Sequence, residues 1–367
     1  MSQQLIKQVE QHRHKVVVET FSPTWNELLN QYTSGDVQID PIYQRGFRWT
    51  VEQQTQFIES LLLNIPTPPI FLAELSDAKF EVIDGLQRFS SMVRFFAEEI
   101  FDEEEIVLDG EGVNNLRHPT TLSKPPILAG LEGHTRETLP ETLVRTLRYA
   151  RAQVILLKKE SSPVAKYNVF MRLNRAGATL SDQEIRNCSA RLFSGEFADM
   201  LRGLGERIDV QHAMGMSPKE RNSMGVEENV LRMLAFSHVV IDNKHIGELL
   251  DQFMYSASSG EFEITSRHKA NVVKTFEMLY SAFPNGEAFK FYRDGKFSGA
   301  FSTNLFDIVA CGIYKNVSAV NKRGVKDLRE RIISLHSEST AIDLTGAGSN
   351  TRRKMAGRVE LGREWFA

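Results

Sequence analysis

Cysteine is almost absent. The chain holds only Cys188 and Cys311, far apart and in apolar helical patterns. That excludes a disulfide framework or a cysteine zinc site and leaves two buried free thiols in a reducing compartment as the expectation. Long apolar runs are missing too, and none approaches the roughly 20 residues that span a bilayer. The stretch MSQQLIKQVEQHRHK is polar and lacks the apolar centre of a signal peptide, so a cytoplasmic protein with no membrane partner is expected. Charge of one sign is not in excess. A formal net charge of -3 gives no global basic field, and any contact with DNA must come from local clusters of Lys and Arg. Missing motifs remove further chemistry. There is no GxxxxGK[ST] loop, no HExxH, no paired CxxC, and no serine or cysteine nucleophile with a base at recognisable spacing.

What is present is an ordinary globular mixture, 41% hydrophobic and 25% charged, in 367 residues, which is enough for two cores. KVVVETF (15–21) reads as a strand, and Ser22 followed by Pro23 as the start of a helix faced by Trp25, Leu28, Leu29 and Tyr32. Thr50 and Gln53 form a capping box for a helix striped by Phe57, Ile58 and Leu61, which the prolines at 66, 68 and 69 end. IFLAEL and KFEVID are strands about the turn Ser76-Asp77-Ala78, and AQVILLKK is a further buried strand. Residues 98–112 carry eight acidic side chains and no basic one, the pattern of a solvated loop, and the chain stays loose to about 148. Beyond 160 it is almost wholly helical. The expected architecture is α+β. A mixed α/β domain (1–160) precedes a helical domain (161–345) and a basic carboxyl-terminal segment (346–367). That segment loses periodicity and offers Arg352, Arg353, Lys354, Arg358 and Arg363 to DNA phosphates.

Chemistry concentrates in KFEVIDGLQRFSSMV. A strand runs into Asp84, Gly85 permits a tight turn, and a helix begins at once, which aims unpaired backbone N–H groups and the positive end of the helix dipole at one place. Phosphate is the usual occupant of such a site. Arg88 can grip a phosphate, Asp84 can hold Mg2+ or orient a water, and Gln87 can position that water. The same residues also suit a plain structural junction, with Asp84 capping and Gly85 turning. Upstream, DPIYQRGFRW (40–49) sets arginines among aromatics, where they grip a phosphate, stack on a base, or rest on Trp49. Downstream, FMRLNRAGATLSDQEIRN (170–187) ends one helix at Gly177 and opens another through a Ser181–Glu184 capping box. Asn174, Arg175 and Arg186 remain there as candidates to face the cleft of Arg88.

Three segments, IYQRGFRWTVEQQTQFIESLLLNIPTPPIFL, EVIDGLQRFSSMVRFF and FMRLNRAGATLSDQEIRNC, occur in one order and spacing. Together they resemble the GmrSD-type amino-terminal domain, a ParB/sulfiredoxin-like family of bacterial restriction and anti-phage systems, over roughly residues 15–190. The resemblance implies an Asp-Gly-Gln-Gln-Arg loop for binding and hydrolysis of nucleoside triphosphates, matched here by Asp84, Gly85, Gln87 and Arg88, with Leu86 in place of the first glutamine. Tyr43, Gln44, Arg45 and Trp49 match the family's upstream motif, and Asn174, Gly177 and Glu184 its downstream one; Gly85, Tyr43, Gln44, Arg45, Asn174 and Arg186 are the expected nucleotide-binding residues, and Mg2+, held by Asp84, the expected cofactor. DNA and a separate nuclease are the implied partners, and a homo-oligomer is left open. No His-Asn-His constellation follows, so the cutting activity of relatives that carry an HNH nuclease is not carried over. The expected function is an NTPase that acts on or senses DNA, or else a non-hydrolysing nucleotide- or DNA-binding module that regulates a nuclease.

Overall fold

The computed structural model describes residues 2–13, 16–39, 47, 49–75, 79–107, 116–177, 181–190, 195–241, 245–349 and 351–367. Two compact units divide the chain, Met1–Thr179 and Leu180–Ala367.

The first unit is built on a five-stranded mixed sheet. Its strands are β1 (Val18–Phe21), β2 (Val37–Gln38), β3 (Ile70–Glu74), β4 (Phe80–Asp84) and β5 (Val154–Leu157), in the order β1-β5-β3-β4-β2. β3 runs antiparallel to β4 and parallel to β5, β4 is parallel to β2, and β1 closes one edge antiparallel to β5. The inner strands β3, β4 and β5 are rich in branched residues, and Ile70, Leu72, Val82, Val154 and Leu156 are buried as that composition demands.

Helix α1 (Ser2–Arg13) precedes the sheet. Helices α2 (Trp25–Thr33), α3 (Val51–Leu62), α4 (Leu86–Phe95) and α5 (Glu141–Tyr149) supply the rest of the core. Trp25 meets Phe57 edge-on at 5.9 Å and Phe89 at 6.0 Å, so one buried indole joins α2, α3 and α4. The Thr50–Gln53 capping box forms as expected. The start of α2 does not lie at Ser22. Thr24 caps it, with Glu27 closing the box, because Thr24 and Glu27 have the three-residue spacing that the reciprocal bonds require.

The segment after the acidic run is less loose than its composition suggests. Buried Glu59 accepts the N–H groups of Ile127 and Leu128 at 2.9 and 2.5 Å, and Gln54 accepts the Thr120 hydroxyl at 2.9 Å. Helix α5 then lays Val144 and Leu147 into the core. Helix α6 (Pro163–Gly177) packs against β4 and belongs with the sheet, which moves the boundary from about 160 to 179.

The second unit contains helices α7 (Asp182–Ala190), α8 (Glu196–Gly205), α9 (Ile208–Met214), α10 (Gly225–His238), α11 (Ile246–Ser259), α12 (Ser266–Ala282), α13 (Thr303–Lys315), α14 (Val317–Arg323), α15 (Val325–Leu335), α16 (Ser339–Thr345) and α17 (Arg352–Trp365). α13 is the axis, buried continuously from Leu305 to Tyr314 and packed by α10, α12 and α17. Gly312 of α13 and Gly362 of α17 bring the two backbones together so closely that a Cβ on either would strike the other helix. Buried Asp307 receives Arg232 through two bonds of 2.6 and 2.8 Å and Arg358 at 3.0 Å. Burial pushes the Cys311 thiol up, one turn along α13, so it is an inert core group. The Cys188 side chain lies outside the described residues.

Residues 352–365 are not an aperiodic basic tail but a packed helix, whose Met355, Arg358 and Gly362 are buried; Arg358 and Lys354 spend their charge on Asp307 and Asp343. The helical half also contains a hairpin, β6 (Phe291–Arg293) and β7 (Lys296–Ser298), turned by Asp294 and Gly295 at φ of 50° and 78°.

Candidate functional site

β4 carries Val82 and Ile83 into the core and ends at Asp84, next to a residue that leaves the strand abruptly. Gly85 sits at φ 89°, ψ 12°, a left-handed conformation that side chains disfavour, and α4 starts on the following residue. A Cβ at Gly85 would lie 3.0 Å from Arg88 Nη2 and 3.1 Å from Ile70 Cγ1, so the turn and the arginine occupy the same tight space. Gly85 offers no side chain to cap α4, and the neighbouring Asp84 carboxylate takes the Gly85 N–H at the positive end of the helix.

Arg88 Nη2 donates to the Pro69 carbonyl at 3.2 Å and lies 3.4 Å from Asp84 Oδ2. Arg88 Nε is buried and has no acceptor among the described residues. Burial pulls the guanidinium down from its usual range, with Asp84 opposing. Burial likewise raises the Asp84 carboxyl, against the opposing pull of Arg88 and of the Gly85 N–H. For both partners desolvation outweighs a long, imperfect pairing, so Arg88 has something to gain from an added anion and Asp84 from an added cation.

Gln87 faces another way. Its Oε1 accepts the backbone N–H of Trp49 at 3.0 Å, and Gln54 Nε2 donates to the Trp49 carbonyl at 3.0 Å. The indole is thereby fixed against Phe57, with centroids 6.0 Å apart. Beside it opens a cleft of about 320 Å³ lined by Trp49, Gln53, Phe57, the Pro66-Thr67-Pro68 strap and Arg88. One wall is aromatic, one is a stiff proline strap, and the far corner is cationic. Such a space suits a flat apolar group joined to an anion.

Asp84, Gly85, Gln87 and Arg88 therefore stand together at one turn. Tyr43, Gln44 and Arg45 lie outside the described residues. Asn174 is on α6, and its side chain is likewise outside them. Arg186 is buried in the second unit, where it meets Asp251 at 2.8 Å and Glu228 at 2.9 Å and also reaches Gln183. Burial acts to lower its pKa, yet the two carboxylates outweigh this and hold it raised, so Arg186 has a full set of partners within its own unit. The Ser181–Glu184 capping box forms as expected. Sequence reasoning passed over Gln53 and the proline strap as parts of the site, since each already had a local role as cap or breaker.

Among the described residues no three His, Cys, Asp or Glu side chains gather as a metal group, and Asp84 is the only carboxylate at the turn. A single carboxylate fits Mg2+ where substrate phosphates complete the shell, and does not fit an all-protein metal cage.

Residues 25–190 match the family model described as the GmrSD restriction endonuclease, N-terminal domain. This stretch belongs to the GmrSD-type family. No curated protein and no solved structure matches the chain. The GmrSD-type domain runs from the first residue of α2 to the last of α7 and contains the whole turn and cleft. No helix among the described residues is long and apolar enough to cross a membrane.

Proposed function

We propose that the turn and cleft bind a nucleoside triphosphate, and that the chain is a nucleotide-dependent component of a bacterial restriction or anti-phage system that acts on or senses DNA. The observation that carries this reading is the buried Nε of Arg88, without an acceptor among the described residues and set at the corner of the cleft beside the start of α4. A buried unpaired donor costs on the order of 1–3 kcal/mol, and a phosphate oxygen would supply the missing acceptor. The base would lie along Trp49 and Phe57, with Gln53 at its edge. Asp84 would hold Mg2+, which would neutralise phosphate charge when bound. We also infer a ParB/sulfiredoxin-like core for this unit, supported by a mixed sheet that presents its polar loop between β4 and α4.

A second reading has a specific support. The Gln87 amide oxygen is committed to Trp49, and Leu86 brings no polar atom to the loop, so the residues that would position an attacking water are few. Here the site holds nucleotide without turnover and signals to a separate nuclease.

Equilibrium binding and phosphate release, measured with each of four NTPs and Mg2+, with and without DNA, separate the readings. Arg88→Ala should weaken binding by about 10- to 100-fold, the worth of a charge-assisted contact. Turnover lost in Arg88→Ala and Asp84→Asn supports the NTPase. Binding without turnover in any condition supports the module. Absence of nucleotide binding by the wild-type chain refutes both.

A further inference from the structure

The largest unexplained feature lies outside the matched residues 25–190, in α1 and β1. Leu5, Ile6 and Val9 of α1 are each more than half exposed, and so is Val18 of β1; Val16 and Val17 are about two-fifths exposed. Six large apolar side chains are thus left bare within fourteen residues. A lone 12-residue helix is marginal in water, and an apolar edge strand is a template for pairing.

The main chain of β1 points the same way. Val17 turns both its groups inward, its carbonyl accepting from Lys158 N–H at 3.0 Å and its N–H donating to Ser161 Oγ at 2.9 Å. Alternation along an extended strand then turns the N–H and C=O of Val16, Val18 and Thr20 outward. β1 is the last strand on its side of the sheet, and among the described residues these outward groups have no partner.

We infer that β1 pairs with β1 of a second copy of this chain, antiparallel about a twofold axis, joining two sheets into one ten-stranded sheet with α1 packed in the same interface. With the axis at Val18, that residue faces its own counterpart and Val16 faces Thr20, so all the outward groups fall in hydrogen-bonding register. The strand is self-complementary in this pairing, as a twofold contact requires. The six bare side chains alone expose roughly half of the about 800 Å² that each partner buries in a stable pair. That area, together with a sheet edge that no described residue pairs with, selects a second copy over a small ligand.

Sedimentation velocity of the full chain over a concentration series tests this. Val18→Pro removes only an outward N–H, so the intrachain ladder survives while the partner's bond is lost. Val18→Lys keeps the N–H and adds a repelling charge. Either should weaken the dimer by about 100-fold, since each interface contains the change twice, and circular dichroism should be unaltered. Leu5→Glu should weaken it about tenfold. If Val18→Pro fails to fold, Val18→Lys alone decides. A wild-type chain that is monomeric at every concentration overturns the inference, as does a dimer indifferent to both Val18 variants. An unchanged Leu5→Glu dimer removes α1 from the interface.

Discussion

Replacing Gly85 with alanine separates a functional turn from a merely convenient one. The left-handed backbone costs a non-glycine residue about 1–2 kcal/mol, and alanine returns about 0.4–1 kcal/mol by stiffening the unfolded chain. The net backbone loss is about 1 kcal/mol. Gly35 provides the matched control, at φ 78° in the same unit with nothing within 4 Å of a Cβ. Gly35→Ala should therefore lose about 1 kcal/mol and nothing else. Gly85→Ala adds contacts of 3.0 Å to Arg88 Nη2 and 3.1 Å to Ile70 Cγ1, and overpacking of this kind costs about 1–3 kcal/mol more. Relief comes by moving the arginine, so nucleotide affinity should fall about tenfold in this variant alone. Urea unfolding in a Trp365→Phe background leaves Trp25 and Trp49 as reporters of the first unit. Equal stability losses in the two variants, with equal nucleotide affinity, would refute the claim that the turn holds Arg88 in place.

Asp307→Asn should destabilise the second unit by about 3–5 kcal/mol, because it leaves two buried guanidiniums facing a neutral amide; a loss below about 1 kcal/mol in chemical denaturation would show the pair to be compensated elsewhere. His238 is depressed to about 4 by burial, with Lys315 and His268 adding to the effect. The unfolded chain takes up that proton first as pH falls. Stability is therefore complete above about 6.5 and is lost progressively between 6.5 and about 4. A His238→Gln chain should show a shallower acid limb in its melting temperature, and an unchanged limb would assign the loss to other groups.

What could be read from the sequence was what lies close together in it. β3, β4, the Thr50–Gln53 box and the Ser181–Glu184 box all declare themselves within a few residues. So do Asp84 and Arg88, one helical turn apart. The misses have distant or crowded causes. α17 looked like a charged tail because the partner of Arg358 is Asp307, 51 residues earlier. Gln87 looked like a free polar group because its Trp49 partner lies 38 residues upstream. α5 was obscured by Pro140 and by the short span between its two buried residues, and the Asp294-Gly295 turn was overlooked inside a helical neighbourhood although the dipeptide itself signals a hairpin. The proline strap was legible only as a helix stop; that it walls a cleft depends on Arg88 reaching back to the Pro69 carbonyl.

The Gly312–Gly362 contact has a consequence for biosynthesis. α13 is buried on the side that α17 covers, and α17 emerges from the ribosome only after another 36 residues have followed α13, counted from Lys315 to Trp365 less its own helix. Until then the apolar flank of α13 and half of the Asp307 cluster are open to water. The first unit closes on residues made long before and can fold while synthesis continues. The second must wait, and the interval is the period in which a nascent chain would most need a chaperone's shelter.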